Sequence, residues 1–277
     1  MKYRWLILYI VLMSCTDKEI IDLEKTNDIR LVVFGEFTNE KKVQEIHLST
    51  TSDYFIQAPV PVISGAIITV DDGEEITELI EKEPGIYQTP GIFQTLPGVA
   101  YTLTIKDVDI NKDGIFETYE ARSITPQTVF IDGMAIRYND KWKRWDVGVF
   151  FREPGETENY YLFKLYKNDV LYTNTMTKYQ ILSDKNINGK EISGIIVHDF
   201  DKEKGKIVNN NDFIKLDTYS ITKEYYNFIN GLKLETEDRI PFFSGPSANL
   251  KGNISGGALG FFATTSVTHN AVYYNGE

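Results

Sequence analysis

Short apolar runs alternate with polar residues along the first half of the chain and predict β-strands. Residues 101–105 are the clearest case, because Tyr, Leu and Ile alternate with Thr at the period of two typical of a half-buried strand. Asp72 and Gly73 separate two such runs and favour a tight hairpin. Pro-Gly pairs begin at residues 84 and 97 and predict further turns. Regularly spaced short strands of this kind indicate a β-sandwich.

Beyond Pro126 the apolar runs become longer and richer in aromatic residues, so we place a domain boundary there. The runs predicted as strands cover residues 129–138, 142–152, 160–166, 170–176 and 192–197. Residues 199–211 are charged and rich in asparagine, which predicts a loop with few core contacts. A glycine-rich segment at 252–260 predicts close backbone packing before a final strand.

One α-helix is predicted over residues 221–235, with Ser220 as its N-cap. Its apolar positions repeat at the spacing of a single helical face: Ile221, Tyr225, Phe228, Ile229 and Leu232. We interpret this stripe as the face that packs on a sheet. The predicted fold is therefore mainly β. It has an N-terminal immunoglobulin- or transthyretin-like β-sandwich over residues 29–125 and a second, antiparallel β domain with one covering helix over residues 126–277.

The N-terminus has the layout of a bacterial lipoprotein signal. Lys2 and Arg4 precede an apolar run at residues 5–13, and Cys15 follows at once. The run is too short for a membrane span, which takes about 20 apolar residues. We predict a signal peptide over residues 1–14 and a Cys15 that carries acyl chains such as palmitate. Residues 15–28, polar and acidic beyond Cys15, would form a tether to the outer membrane with the protein facing the cell surface.

The overall charge narrows the class of partner. The formal net charge is −11, which argues against nucleic acid as the main partner. Cys15 is the only cysteine, so the folded part has no disulfide and depends on packing.

The loop from Asp109 to Glu120 matches the template of a calcium-binding loop. Oxygen-bearing residues stand at the expected positions, with Gly114 at the sharp turn: Asp109, Asn111, Asp113, Ile115 (through its carbonyl), Glu117 and Glu120. The flanks are predicted strands rather than the helices of an EF-hand. The alternative is a β-hairpin whose tip uses the usual turn residues. Calcium is thus a candidate cofactor, and no other cofactor is indicated.

Two tryptophans, Trp142 and Trp145, are candidates for ligand or partner contact. They stand in the sequence KWKRW, where strand alternation would place Trp142 on the opposite sheet face from Trp145. An exposed tryptophan can stack on a sugar ring or pack on a partner. The alternative is an edge strand whose cations prevent aggregation.

The residue patterns that mark common catalytic centres do not occur in the sequence. His47, His198 and His269 lie far apart and have no zinc-site spacing, although His198, Asp199 and Asp201 together offer metal-ligating groups. There is no Gly-x-Ser-x-Gly elbow. Scattered carboxylates leave a hydrolase as a remote alternative. We predict a protein that is not an enzyme.

Several segments together resemble one family, and their order along the chain carries the resemblance. They are the segment ending at Cys15, LVVFG at 31–35, PVISGA at 61–66, PGIY at 84–87, PGVAYTLTI at 97–105, Tyr160 with Tyr161, SITKEYY at 220–226 and NISGGALGFF at 253–262. The chain resembles the Bacteroidota lipoprotein family labelled domain of unknown function 4249. Its first half is also similar to carboxypeptidase-regulatory-like, transthyretin-like modules, which are non-catalytic spacers or docking units.

The resemblance implies an outer-membrane lipoprotein, often encoded beside TonB-dependent receptors, and brings no catalytic residues. We therefore expect an accessory or ligand-capturing partner of a TonB-dependent β-barrel transporter. The alternative is a stand-alone surface lipoprotein that binds a glycan or a peptide.

Overall fold

The structure, a computed structural model, describes residues 29–52, 59–236 and 250–276. Within these ranges the chain forms sixteen β-strands and one α-helix, so the mainly β fold predicted from the sequence is confirmed. The predicted signal peptide, Cys15 and the tether lie outside the described residues.

The first eight strands follow the predicted pattern of short strands and turns. They are β1 (Leu31–Thr38), β2 (Glu45–Thr50), β3 (Ile67–Asp71), β4 (Ile76–Glu78), β5 (Ile80–Glu83), β6 (Ile86–Gln88), β7 (Ala100–Val108) and β8 (Glu117–Ile124).

The other elements are longer on average and include the helix. They are β9 (Gly133–Asn139), β10 (Arg144–Arg152), β11 (Tyr160–Lys167), β12 (Val170–Leu171), β13 (Gln180–Ser183), β14 (Glu191–Asp201), β15 (Phe213–Ile221), α1 (Lys223–Thr236) and β16 (Leu259–Tyr273). Short 3-10 turns at Met176–Lys178 and Asp184–Asn186 flank β13.

A nine-stranded sheet forms the centre of the fold, in the order β12-β11-β15-β16-β1-β2-β6-β5, with β13 also paired to β11. The long strand β16 joins its two halves. Its first part pairs in parallel with β1, and its second part pairs antiparallel with β15. The first and last strands of the described chain are therefore neighbours.

Two smaller sheets pack on one face of the central sheet. They are the four-stranded sheet β4-β3-β7-β8 and the three-stranded sheet β14-β10-β9. Phe262 belongs to the core beneath the four-stranded sheet, whereas Val272 packs against the core beneath the three-stranded sheet. An even number of positions separates these two residues on β16, so both point to the same face.

The segment between β8 and β9 runs along β16 and is held by polar side chains of that strand. The Ser266 hydroxyl donates to the Pro126 carbonyl at 2.6 Å, and the Thr268 hydroxyl donates to the Val129 carbonyl at 3.2 Å. The Asn270 amide donates to the carbonyl of Ile131 at 3.1 Å. These bonds satisfy backbone groups that the two small sheets leave unpaired.

The helix α1 covers the opposite face of the central sheet, as predicted. Tyr225 and Phe228 pack on Phe261 of β16, with ring centroids 5.0 and 5.1 Å away. The predicted cap is wrong, because the Thr222 hydroxyl accepts the Tyr225 amide at 3.2 Å. Ser220 lies in β15 and accepts the Val129 amide instead.

The structure corrects two further predictions in the second half. The strand β15 is missing from the predicted set, although it lies between β11 and β16 in the central sheet. Residues 199–211 were predicted as a loop with few core contacts, but β14 continues to Asp201. Phe200 and Val208 are both buried in the second core. The apolar residues in this charged stretch decide its packing.

Candidate functional site

The loop with the calcium template forms the tip of the β7–β8 hairpin, and its flanks are strands, as predicted. The Asp109 carboxylate accepts the backbone N–H groups of Asp113 and Gly114 at 3.2 and 3.0 Å. The Asn111 side-chain oxygen accepts the Asp113 amide, and the Asp113 carboxylate accepts the Ile115 amide. These side-chain oxygens thus close the turn itself.

The other predicted ligands of this loop lie partly apart from the tip. Glu117 lines a cavity of about 610 Å³ together with Asn111, Ile29 and Arg30. Glu120 is an exposed residue of β8 that pairs with Thr104. Throughout the described ranges no group of three or more His, Cys, Asp or Glu side chains is arranged to hold a metal ion. Calcium binding at this loop stays a prediction.

The two candidate tryptophans have different environments. Trp142 is 59% exposed and lies in the turn before β10, where the Lys141 ammonium is 5.0 Å from its ring centroid. Trp145 lies in β10, is 8% exposed and packs on Tyr138 at 4.9 Å. The strand alternation assumed for Trp142 is wrong, because β10 begins at Arg144. Of these two tryptophans, only Trp142 presents its ring to solvent.

A cavity of about 880 Å³ opens at the edge of the second half of the molecule. One wall comes from residues 167–180, where β12 and β13 pair with the same edge of β11. The chain leaves that edge between the two short strands and forms a 3-10 turn. The other wall comes from the end of β14 and the loop after it. A volume of this size is in the range of small-molecule sites.

Four lysines line this cavity, and we call it the lysine cavity after them: Lys167, Lys178, Lys204 and Lys206. Lys167 pairs with Asp212 at 2.8 Å, and Lys204 pairs with Asp201 at 3.2 Å. The Lys178 ammonium donates to the Asn174 amide oxygen at 2.7 Å. The Lys206 ammonium lies 5.5 Å from the ring centroid of Tyr172.

His198 and Tyr172 form the aromatic part of the lysine cavity. Their ring centroids are 5.3 Å apart, and Tyr172 also packs on Phe200 at 4.7 Å. The Nδ1 atom of His198 accepts the Asp199 amide, which leaves the proton of a neutral ring on Nε2. Burial lowers the pKa of His198 to about 4, so the ring is neutral at pH 7.

The carboxylates of the lysine cavity lie beside cations. Asp199 is 3.8 Å from Arg144, and Lys204 together with backbone amides lowers the pKa of Asp201. Neither carboxylate lies with His198 in a group arranged to hold a metal ion, within the ranges that the structure describes. His198, Asp199 and Asp201, proposed from the sequence as metal-ligating groups, thus line one cavity. They are not arranged to bind one metal ion together.

Sequence patterns did not predict the lysine cavity as a whole. Its lysines come from two segments about 30 residues apart, and the strands that bring them together are only two and four residues long on one side. The cluster Lys202, Lys204 and Lys206 is visible in the sequence, but it resembles an ordinary solvated loop.

A smaller cavity of about 350 Å³ lies on the outer face of the three-stranded sheet. Its lining includes the small residues Ala135, Gly148 and Gly194. Its charged residues are Arg137, Asp140 and Asp146, and Asp146 is paired with Arg144 at 2.6 Å. The lysine cavity is more than twice as large, so it is the better candidate for a small-molecule site. No helix among the described residues is long and apolar enough to cross a membrane.

The fold and the cavity define a mainly β protein with a central sheet, two covering sheets and a basic cavity at one edge. The chain belongs to the family described as Domain of unknown function (DUF4249), whose sequence profile matches residues 17–271. The resemblance to domain of unknown function 4249 is thereby confirmed. No curated protein matches the chain.

Proposed function

We propose that this protein is a non-catalytic outer-membrane lipoprotein that captures a small ligand in the lysine cavity for a TonB-dependent β-barrel transporter. The lysine cavity is the observation that carries the proposal. It is an open cavity of about 880 Å³ that combines charged, amide and aromatic side chains. Sites for small ligands have this size and combine apolar or aromatic surface with polar groups.

The charges of the cavity support binding rather than hydrolysis. A two-carboxylate hydrolase needs one carboxyl group whose pKa is raised, so that it can donate a proton. In the lysine cavity the pKa of Asp201 is lowered by Lys204, and Asp199 lies beside Arg144. The lowered pKa favours the ionised carboxylate of Asp201, which suits its ion pair with Lys204.

The lipid anchor is proposed from the sequence at Cys15. Several acyl chains would hold the protein on the membrane, since each buried methylene contributes about 0.8 kcal/mol. Metabolic labelling with an azide-bearing palmitate analogue tests this point. The wild-type protein should be labelled, and the Cys15→Ala variant should not be. Equal labelling of both would contradict the anchor.

Copurification tests the transporter partnership. The full-length, lipid-bearing protein is isolated from native membranes in a mild detergent, and its partners are identified by mass spectrometry. A β-barrel transporter in near-stoichiometric amount is the expected result. Recovery of the lipoprotein alone would count against the partnership and favour independent binding at the surface.

A second candidate function is a stand-alone surface protein that binds a glycan or a peptide through Trp142. The exposure of this ring is the observation that favours it. This candidate predicts a binding activity that survives without any transporter and is lost in Trp142→Ala. Binding that depends on the lysine cavity and tolerates Trp142→Ala would exclude it.

A further inference from the structure

The lysine cavity has a surplus of positive charge on a protein whose net charge is −11. Lys167 and Lys204 are each paired with an aspartate. Lys178 and Lys206 form no ion pair with any residue that the structure describes, and their contacts are an amide oxygen and an aromatic ring. Two cations in one cavity are thus available to an anionic ligand.

The volume and the aromatic wall show that a simple inorganic anion would not fill the cavity. The cavity measures about 880 Å³, whereas a water molecule occupies about 30 Å³ in the liquid. Tyr172 and His198 provide ring surface, and Leu171 adds an aliphatic side chain. A ligand that carries a ring beside its charge would match both parts of the wall.

Two amide side chains on the same wall can form hydrogen bonds with hydroxyl groups of a ligand. Gln180 makes no side-chain hydrogen bond within the described ranges, and the Asn174 amide is bound only through its oxygen, by Lys178. Asn168 differs, because its amide is already bonded to Asp212 and to the Phe213 backbone. An amide group can both donate to and accept from a sugar hydroxyl.

We infer that the lysine cavity binds an acidic sugar, a saccharide ring that bears a carboxylate. Lys178 and Lys206 pair with the carboxylate, and Tyr172 packs against the ring. Gln180 and Asn174 bind hydroxyl groups. This inference rests on the proposed ligand-capturing function and specifies the chemical class of its ligand.

Calorimetric titration of the full-length, lipid-bearing protein in detergent tests the inference. The probes are digalacturonate, a glucuronate-containing disaccharide and N-acetylneuraminate, each with its neutral counterpart. We expect at least one acidic probe to bind at least about tenfold more tightly than its neutral counterpart. Its affinity should fall with added salt, because part of the attraction is between charges.

Charge-removing variants locate the binding. Lys178→Gln and Lys206→Gln keep most of the side-chain length and should each weaken the acidic probe by about tenfold or more. Lys185→Gln, an exposed lysine of the second 3-10 turn that does not line the cavity, is the matched control and should leave the affinity unchanged. Trp142→Ala should also leave it unchanged.

Other results would overturn the inference in distinguishable ways. Equal binding of acidic and neutral sugars, weakened by Gln180→Ala, would reject the acidic class but keep ligand capture in this cavity. No binding by any probe would reject the acidic-sugar inference, and copurification of a transporter would then still support the accessory function. Failure of both experiments would reject the proposed function as well.

Discussion

Lys164 of β11 forms an ion pair with Glu36 of β1, although β15 and β16 separate these two strands in the central sheet. Their side chains meet on the face that α1 covers. The Tyr225 hydroxyl of α1 donates to the same Glu36 carboxylate at 2.8 Å, and the Lys164 ammonium lies 4.3 Å from the ring centroid of Tyr219. One buried ion pair therefore links both halves of the sheet to the helix.

Removal of one partner of this ion pair should strongly destabilise the fold. Lys164→Met leaves the Glu36 carboxylate buried without its cation, and we expect a loss of about 3–5 kcal/mol in the free energy of unfolding. Lys164→Met with Glu36→Leu should recover much of that loss, because neither charge is then buried. Urea unfolding measures both variants, with Lys185→Met as an exposed control. A double variant no more stable than Lys164→Met would contradict this account.

The same pair predicts a stability that falls in alkaline solution. Burial alone would lower the pKa of Lys164, but Glu36, Tyr179 and Asp217 together outweigh this effect and the pKa is raised. A raised pKa means that this stabilisation is complete below the ordinary lysine value of about 10.4 and is lost as the pH rises through the folded pKa. The loss should be absent from the double variant.

His198 predicts a second, acid-side dependence. Its pKa of about 4 lies below the usual histidine value because the ring is buried. Between about pH 6.5 and pH 4 the unfolded chain binds a proton that the folded chain does not, so stability falls as the pH falls. The expected contribution is about 2–3 kcal/mol by pH 4.

His198→Gln isolates this contribution from that of the carboxylates. The stability difference between the wild-type protein and the variant should be constant above about pH 7 and should shift in favour of the variant toward pH 4. Denaturant unfolding across this range measures it. A difference that does not change with pH would show that His198 is not held neutral by burial.

The two tryptophans give a direct test of the second core. Trp145→Ala should cost about 3–5 kcal/mol, as expected for a buried aromatic residue, whereas Trp142→Ala should change stability by less than about 0.5 kcal/mol. In protein without residues 1–14, and so without Trp5, acrylamide should quench the fluorescence of Trp142 in the Trp145→Phe variant. It should quench Trp145 much less in the Trp142→Phe variant. Equal quenching of both would contradict the burial of Trp145.

Local patterns predicted most of the first half of the fold. Residues 101–105 alternate cleanly because one face of β7 is buried and the other is half-exposed. In β15 the alternation is hidden, since Leu216 and Asp217 are both buried and the two faces contact different layers. The apolar repeat assigned to the helix included Ile221, which in fact ends β15. The N-cap was therefore predicted at Ser220, whereas the structure has it at Thr222.

Long-range pairing could not be predicted in the same way. The parallel pairing of β1 with β16 joins residues more than 220 positions apart, and neither strand carries a local sign of its partner. The lysine cavity depends on the packing of the end of β14 near β12 and β13, which belong to a different sheet. The composition indicated only an acidic chain, so sequence patterns could not predict a basic cavity.

The hairpin loop at Asp109 allows a test that separates a turn from a calcium site. As a turn residue, Asp109 stabilises the hairpin through two backbone hydrogen bonds, and Asp109→Ala should cost about 1 kcal/mol with or without calcium. If the loop binds calcium, the ion should raise the melting temperature of the wild-type protein and not that of Glu117→Gln. Thermal unfolding with calcium or with a chelator measures both effects.

Gly260 is the glycine on which the junction of the two halves depends. Its φ is +99°, and a Cβ atom at this position would overlap with the backbone carbonyl of Val33 on β1. Gly260→Ala should therefore separate β16 from β1 and cost about 4 kcal/mol or more, as only severe backbone conflicts do. Gly257→Ala is the matched control, because Gly257 has a φ of +76° but open space around it. It should cost only about 1 kcal/mol of backbone strain. Similar losses of stability in both variants would show that the positive φ of Gly260, and not the close approach of β1 to β16, requires glycine at this position.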